Sequence, residues 1–192
     1  MASIDVGAAA TDRAKSLSGD RTLLSLDNSA DGDGSLTSIE IYGVSGFTMT
    51  GVIVATFYGS GTSWTPRDTV SLADVTGGSK VTRTVDASSN PIALSVETGD
   101  LIGIFFASGA SLEYADSGGA GLLYKAGDYT ASGTQTFSSA ANSVMSLYAT
   151  GETASATSIK TLFAGTPIAD LAKFNGAAIS DYKTINGISN AS

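Results

Sequence analysis

From Arg21 to about Gly151 the chain repeats one phrase: a short run rich in Val, Ile, Thr, Tyr and Phe, followed by a cluster of Gly, Ser, Asn or Asp. Short β-branched runs punctuated by turn residues predict a many-stranded antiparallel sandwich or barrel. The runs place candidate strands at 22–26, 37–42, 52–58, 68–72, 80–85, 92–96, 101–107, 121–125, 134–137 and 143–150. In the third of these, alternation puts Val52, Val54, Thr56 and Tyr58 on one face and Ile53, Ala55 and Phe57 on the other. Both faces are apolar, as a central strand requires. Helix signals are sparse, and only 11–17 could form a helical turn, capped by Thr11 or Asp12. The expected fold is all-β, an antiparallel jelly-roll-like sandwich over residues 21–151, preceded by an N-terminal arm at 1–20.

The pattern changes after Gly151. Residues 152–158 are small and polar and read as a linker to a tail at 159–192. In the tail, Ile168-Ala-Asp-Leu-Ala-Lys-Phe-Asn-Gly recurs eleven residues later as Ile179-Ser-Asp-Tyr-Lys-Thr-Ile-Asn-Gly. An earlier, weaker copy keeps Phe163 and Gly165 but has Ala164 in place of Asn. Self-similarity at a fixed period predicts a small stacked unit. Asn-Gly opposes a continuous helix and favours a tight turn with positive φ at both positions. Each unit is therefore expected to be a short strand or a loosely helical piece, ended by Asn175-Gly176 or Asn186-Gly187. Ile168, Leu171, Phe174, Ile179, Tyr182 and Ile185 cannot form a core alone, so the tail must pack on its own sandwich or on a partner.

Composition narrows the chemistry. Charged residues are 15% of the chain, against a usual share of about 25%, while Gly numbers 23 of 192, which suits strands and tight turns. A net charge of -8 argues against nucleic acid or an anionic membrane as partner, since both are held by clustered Lys and Arg. Without Cys or His, thiolate chemistry, zinc-thiolate sites and the commonest general base are missing. The N-terminus has neither the basic start nor the apolar core of a signal peptide, and the longest apolar runs fall far short of the roughly 20 residues that span a bilayer. A product of the cytoplasm is expected.

Carboxylates, hydroxyls and amides remain. The loop Asp27-Asn-Ser-Ala-Asp-Gly-Asp-Gly-Ser carries oxygens at alternating positions and partly matches a calcium loop, with Asp27, Asp31 and Asp33 as ligands of a structural calcium. Ser38 stands where the bidentate Glu is due, and a solvated Asp/Gly turn is the other reading. Trp64, in an expected loop at 59–66, with Tyr58, Tyr114, Tyr124 and Tyr129, could supply a stacking platform for a glycan, or could cap the ends of the core. Glu40, Glu97, Glu113 and Asp116 are the acids a glycosidase would draw on, but nothing in the sequence pairs them. No enzyme is expected.

The stretch Val96-Glu-Thr-Gly-Asp-Leu-Ile-Gly-Ile-Phe-Phe-Ala-Ser-Gly resembles a motif of carbohydrate-binding jelly-roll modules, a Thr-Gly-Asp turn followed by a buried strand. Together with Val54-Ala-Thr-Phe-Tyr-Gly-Ser-Gly and Ser146-Leu-Tyr-Ala-Thr-Gly it looks like a sandwich domain of tailed-bacteriophage virion proteins. The units ending Lys173-Phe-Asn-Gly and Lys183-Thr-Ile-Asn-Gly are similar to short repeats that close phage tail, fibre and head-decoration proteins. The resemblance implies a non-enzymatic virion component, made in the host cytoplasm. Its implied partners are other virion proteins, copies of itself in a homo-oligomer such as a trimer, and a cell-surface glycan. A secreted bacterial carbohydrate-binding or adhesin module is the competing reading, and the missing export signal counts against it.

Overall fold

The computed structural model describes residues 2–154 and the backbone of four two-residue strands at 173–174, 177–178, 184–185 and 188–189. The described residues contain no helix. One sheet is built from β1 (Ser3–Gly7), β17 (Leu147–Thr153), β4 (Gly34–Tyr42) and β10 (Leu94–Val96) in that order, with β9 (Lys80–Arg83) also paired to β4. A seven-stranded sheet runs β14 (Gln135–Thr136), β7 (Ser63–Leu72), β6 (Val52–Ser60), β11 (Leu101–Phe105), β3 (Arg21–Ser25), β13 (Gly121–Ala126), β15 (Ser138–Ala141). A small third sheet runs β16 (Val144–Met145), β12 (Ser111–Ala115), β2 (Lys15–Ser18), and β5 (Thr48–Met49) pairs with β8 (Val75–Thr76). All of these pairings are antiparallel. The expected all-β sandwich is the fold.

The double-sided apolar pattern of β6 has a physical cause. Val52 and Val54 join the main core, packed with Ile4, Val6, Ile39, Ile41 and Leu147 of the first sheet. Ala55 and Phe57 point the other way, into a second cluster with Leu24, Leu101, Trp64, Leu123 and Phe137. Burying a large side chain of this kind stabilises the fold by about 1.5–3 kcal/mol, which is why β6, flanked by β7 and β11, carries so few polar groups. Gly103 of β11 makes room for the second cluster: a Cβ there would stand 2.7 Å from both the Leu23 carbonyl oxygen and Cε2 of Phe57.

The ends of the domain differ from expectation. Residues 1–20 are not an arm, because β1 pairs with β17 from Ser3 opposite Glu152 to Gly7 opposite Tyr148, and Ile4 and Val6 are fully buried. The expected helical turn at 11–17 gives way to β2, which pairs with β12. At the other end β17 runs to Thr153, whose N–H donates to the Ala2 carbonyl, and the Ala154 N–H donates to that of Asp33. The compact body is therefore 1–154, and residues 155–192 form a second unit. In that unit β18 (Lys173–Phe174) pairs with β19 (Ala177–Ala178), and β20 (Thr184–Ile185) with β21 (Ile188–Ser189), so a strand precedes each Asn-Gly, as one of the two expectations had it, and a second strand follows it.

Candidate functional site

The Thr-Gly-Asp motif is a tight turn from Glu97 to Asp100, closed by the Asp100 N–H donating to the Glu97 carbonyl at 3.0 Å. Gly99 has φ +91°, a conformation that L side chains avoid and that the third residue of a type II turn requires. The Asp27–Asp33 loop grips this turn from the side: Gly99 N–H donates to the Ala30 carbonyl, and the Thr98 N–H and hydroxyl both donate to Asp33 Oδ1 at 2.8 Å. Those two bonds, the backbone one first, hold the Asp33 carboxyl below the usual carboxylate range.

The turn aims Asp100 inward, where only 2% of it is exposed. A buried carboxylate needs a cationic partner, and Arg67 of β7 supplies it in a forked contact, Nε to Oδ2 at 2.6 Å and Nη2 to Oδ1 at 3.2 Å. The Glu97 N–H also donates to Asp100 Oδ2, at 2.9 Å. Arg67 Nη1 lies 2.9 Å from Glu97 Oε1, and the guanidinium sits 5.0 Å over the ring of Tyr58. Bonding to Asp100 raises the Arg67 pKa further.

A β-bulge explains how Arg67 reaches this position. Thr56 of β6 faces Asp68 of β7 while its neighbour Phe57 faces Pro66, so Arg67 is the extra, unpaired residue. Consecutive side chains of a regular strand point to opposite faces, but a bulge re-aims one of them. Arg67 and Asp68 consequently line the same surface. Asp68 is fixed there by the Ser95 N–H on Oδ2 and by its neighbour Thr69 N–H on Oδ1, both at 2.8 Å. Two open clefts share this pair as a wall. One of about 540 Å³ is bordered by Asp33, Ser95 and Glu97; the other, of about 350 Å³, by Thr69, Thr130 and Ser132.

The expected aromatic platform is not assembled. Trp64 lies on β7 and not in a loop; it is 6% exposed, packs in the second cluster, and donates its indole N–H to the Gly61 carbonyl at 3.0 Å. Its ring caps the core and has no face to offer a sugar. Tyr129 packs against the same cluster under Lys125 Nζ at 4.4 Å, and Tyr114 sits on β12 against the main core. Tyr58 and Tyr124 are exposed, but β11 and β3 lie between their strands.

The acids are likewise scattered. Glu40 pairs with Lys80, Glu97 with Arg67, and Asp116 with Lys15. Glu113 is buried, and that burial is the main reason its carboxyl is pushed up. The calcium reading does not hold among the described residues, where no three carboxylates converge on a metal position. Asp27 Oδ1 accepts the Ala120 N–H while its Oδ2 is buried without a partner, Asp33 Oδ1 holds the turn, and Asp31 is exposed, so the three carboxylates do not share one position. Of the expected assembly residues, Phe174 and Ile185 fall on described backbone; Ile168, Leu171, Asn175, Gly176, Ile179, Tyr182, Asn186 and Gly187 lie outside the described residues.

Sequence reasoning singled out the turn at Asp100 but not Arg67, Asp68 or Ser95. The one local hint was Pro66 between Trp64 and the β-branched run Thr69-Val70, since Pro in an inner strand marks a bulge. No protein-family model, curated protein or solved structure matches the chain.

Proposed function

We propose that the chain is a non-enzymatic structural protein of a tailed-phage virion, a decoration, fibre or tail component, with the sandwich as its displayed body and the repeats as its assembly element. The observation that carries this reading is the pair of two-residue-loop hairpins, whose strands recur at the eleven-residue spacing of the sequence repeat. A two-stranded hairpin is marginal by itself in water, and repeating units gain stability by stacking on like units. Copies of the same chain and other virion proteins are the neighbours such a unit suits. The displayed body meets the cell surface, where glycans are its ligands. The resemblance of the Thr-Gly-Asp segment and of the Asn-Gly repeats to phage virion sequences supports the same assignment.

Mass by size-exclusion chromatography with light scattering tests it on three proteins: the full chain, the chain ending at Ala154, and Gly187→Val. Ending at Ala154 keeps the whole of β17, whereas ending at Gly151 would strip pairs from β1 and β4. The full chain should be oligomeric, the shortened chain a folded monomer, and Gly187→Val impaired, because Val resists the positive φ of an Asn-Gly turn. The same number of copies per particle for all three would refute assembly through the repeats.

A further inference from the structure

We propose that the polar groove crossing β7, walled by Arg67 and Asp68, is a binding site for a neutral oligosaccharide. This takes up the glycan part of the function proposed above, and needs nothing from the assembly of the repeats.

The two clefts that share the Arg67–Asp68 wall have volumes of about 540 and 350 Å³, inside the roughly 300–1,000 Å³ range of small-ligand sites. Sugar hydroxyls donate and accept at once, so a wall that reads them must set fixed donors beside fixed acceptors. Arg67 spends one N–H of each terminal nitrogen on Asp100 and Glu97, which leaves an N–H on both for a ligand. Asp33 keeps Oδ2 free of the Thr98 bonds, and Asp68 retains lone pairs on both oxygens. The hydroxyls of Ser95 and Ser132 complete the lining.

These groups are already held in place. Arg67 is clamped by a buried carboxylate and stacked over Tyr58, and Asp33 and Asp68 are each anchored by backbone N–H groups, so binding would cost little ordering of side chains. The bulge strengthens the argument, because it interrupts a strand of the sandwich in order to bring Arg67 and Asp68 to one surface. Charge selects the ligand class. The carboxylates of Asp33, Asp68 and Glu97 outnumber the single guanidinium, and Arg67 is already neutralised by Asp100. A phosphate or a uronic acid would be repelled, while a neutral, hydroxyl-rich chain meets matched partners.

The test is binding of the full chain to immobilised short oligosaccharides, one set neutral and one carrying uronic acids, with a Lys-rich peptide as a third probe. The variants are Asp68→Asn, which removes a charged acceptor, and Ser132→Tyr, which fills the second cleft, with Tyr124→Ala on β13, four strands from β7, as a control. Neutral sugars should be retained, and both groove variants should weaken them about tenfold or more, Asp68→Asn through the loss of one charge-assisted hydrogen bond and Ser132→Tyr by filling the cleft, with Tyr124→Ala unchanged. Circular dichroism and thermal melts of each variant confirm that it is folded. Retention of the peptide or the acidic sugars instead, no sugar bound at all, or binding indifferent to the groove variants would each overturn the assignment. Light scattering on the same samples separates this outcome from failure of the assembly reading, since a monomer that binds sugar keeps this inference and an oligomer that binds none refutes it.

Discussion

Replacing Asp100 with alanine removes the acceptor of three hydrogen bonds at once, two from Arg67 and one from the Glu97 N–H. Asp100 is 2% exposed, while the Arg67 side chain keeps 24% of its surface. Removing one partner of a buried pair typically costs about 3–5 kcal/mol, because the remaining charge is left without compensation. Partial access of water to Arg67 and its second contact with Glu97 place the expected loss near the lower end, about 3 kcal/mol. At about 2–4 °C per kcal/mol for a body of this size, the melting temperature should fall by about 6–12 °C. Asp100→Asn keeps one acceptor oxygen but turns an amide donor toward donors, and should cost about 1–3 kcal/mol. Arg67→Met combined with Asp100→Leu should lose less than Asp100→Ala, since no charge is stranded. The assay is urea unfolding followed by the fluorescence of Trp64, the sole Trp and 6% exposed. A loss below about 1 kcal/mol for Asp100→Ala would refute the claim that this pair organises the turn, because so small an effect is typical of exposed ion pairs.

Two further outcomes follow from single positions. Glu113 has a folded-state pKa raised above the ordinary 4.5 by burial, so the protonated form is the one the fold favours; its contribution is complete below about pH 4.5 and is lost as pH rises through the folded value. Glu113→Gln should therefore exceed the parent in stability at pH 7 and match it near pH 4, measured by denaturant midpoints at both. Gly103→Ala should destabilise by about 1–3 kcal/mol, since its methyl would meet the Leu23 carbonyl and the Phe57 ring at 2.7 Å; an unchanged melting temperature would count against that packing.

Each candidate strand between 22 and 150 overlaps an observed one, because alternation and turn chemistry are local signals that a strand carries wherever it pairs. The eleven-residue repeat was legible for the same reason, but whether each unit was strand or helix was not, nor was the second strand after each Asn-Gly. What local signals could not provide is partnership. Ser3–Gly7 alternates Ile4 and Val6 with polar or small neighbours, yet it becomes a strand only because Leu147–Thr153, far along the chain in sequence, lies beside it. Trp64 looked like a loop residue among glycines and a proline, and only the closing of β6 on β7 turned it into the core. Asp27, Asp31 and Asp33 had the spacing of ligands, but the bonds to Ala120 and Thr98 come from loops far along the chain and draw Asp27 and Asp33 to different places, while Asp31 is exposed.

The sequence by itself determined the fold class, the strands of the central body and the repeat, since each is written in residues a few positions apart. The tertiary structure alone decided the polar groove. Arg67 and Asp100 are thirty-three residues apart, and neither carries any sign of the other. Their meeting depends on the pairing of β6 with β7 and with β11, and on a one-residue bulge that turns Arg67 toward the Asp100 turn. A charged pair is stable in a place that 98% of Asp100 shares with the protein interior only because both registers hold it there.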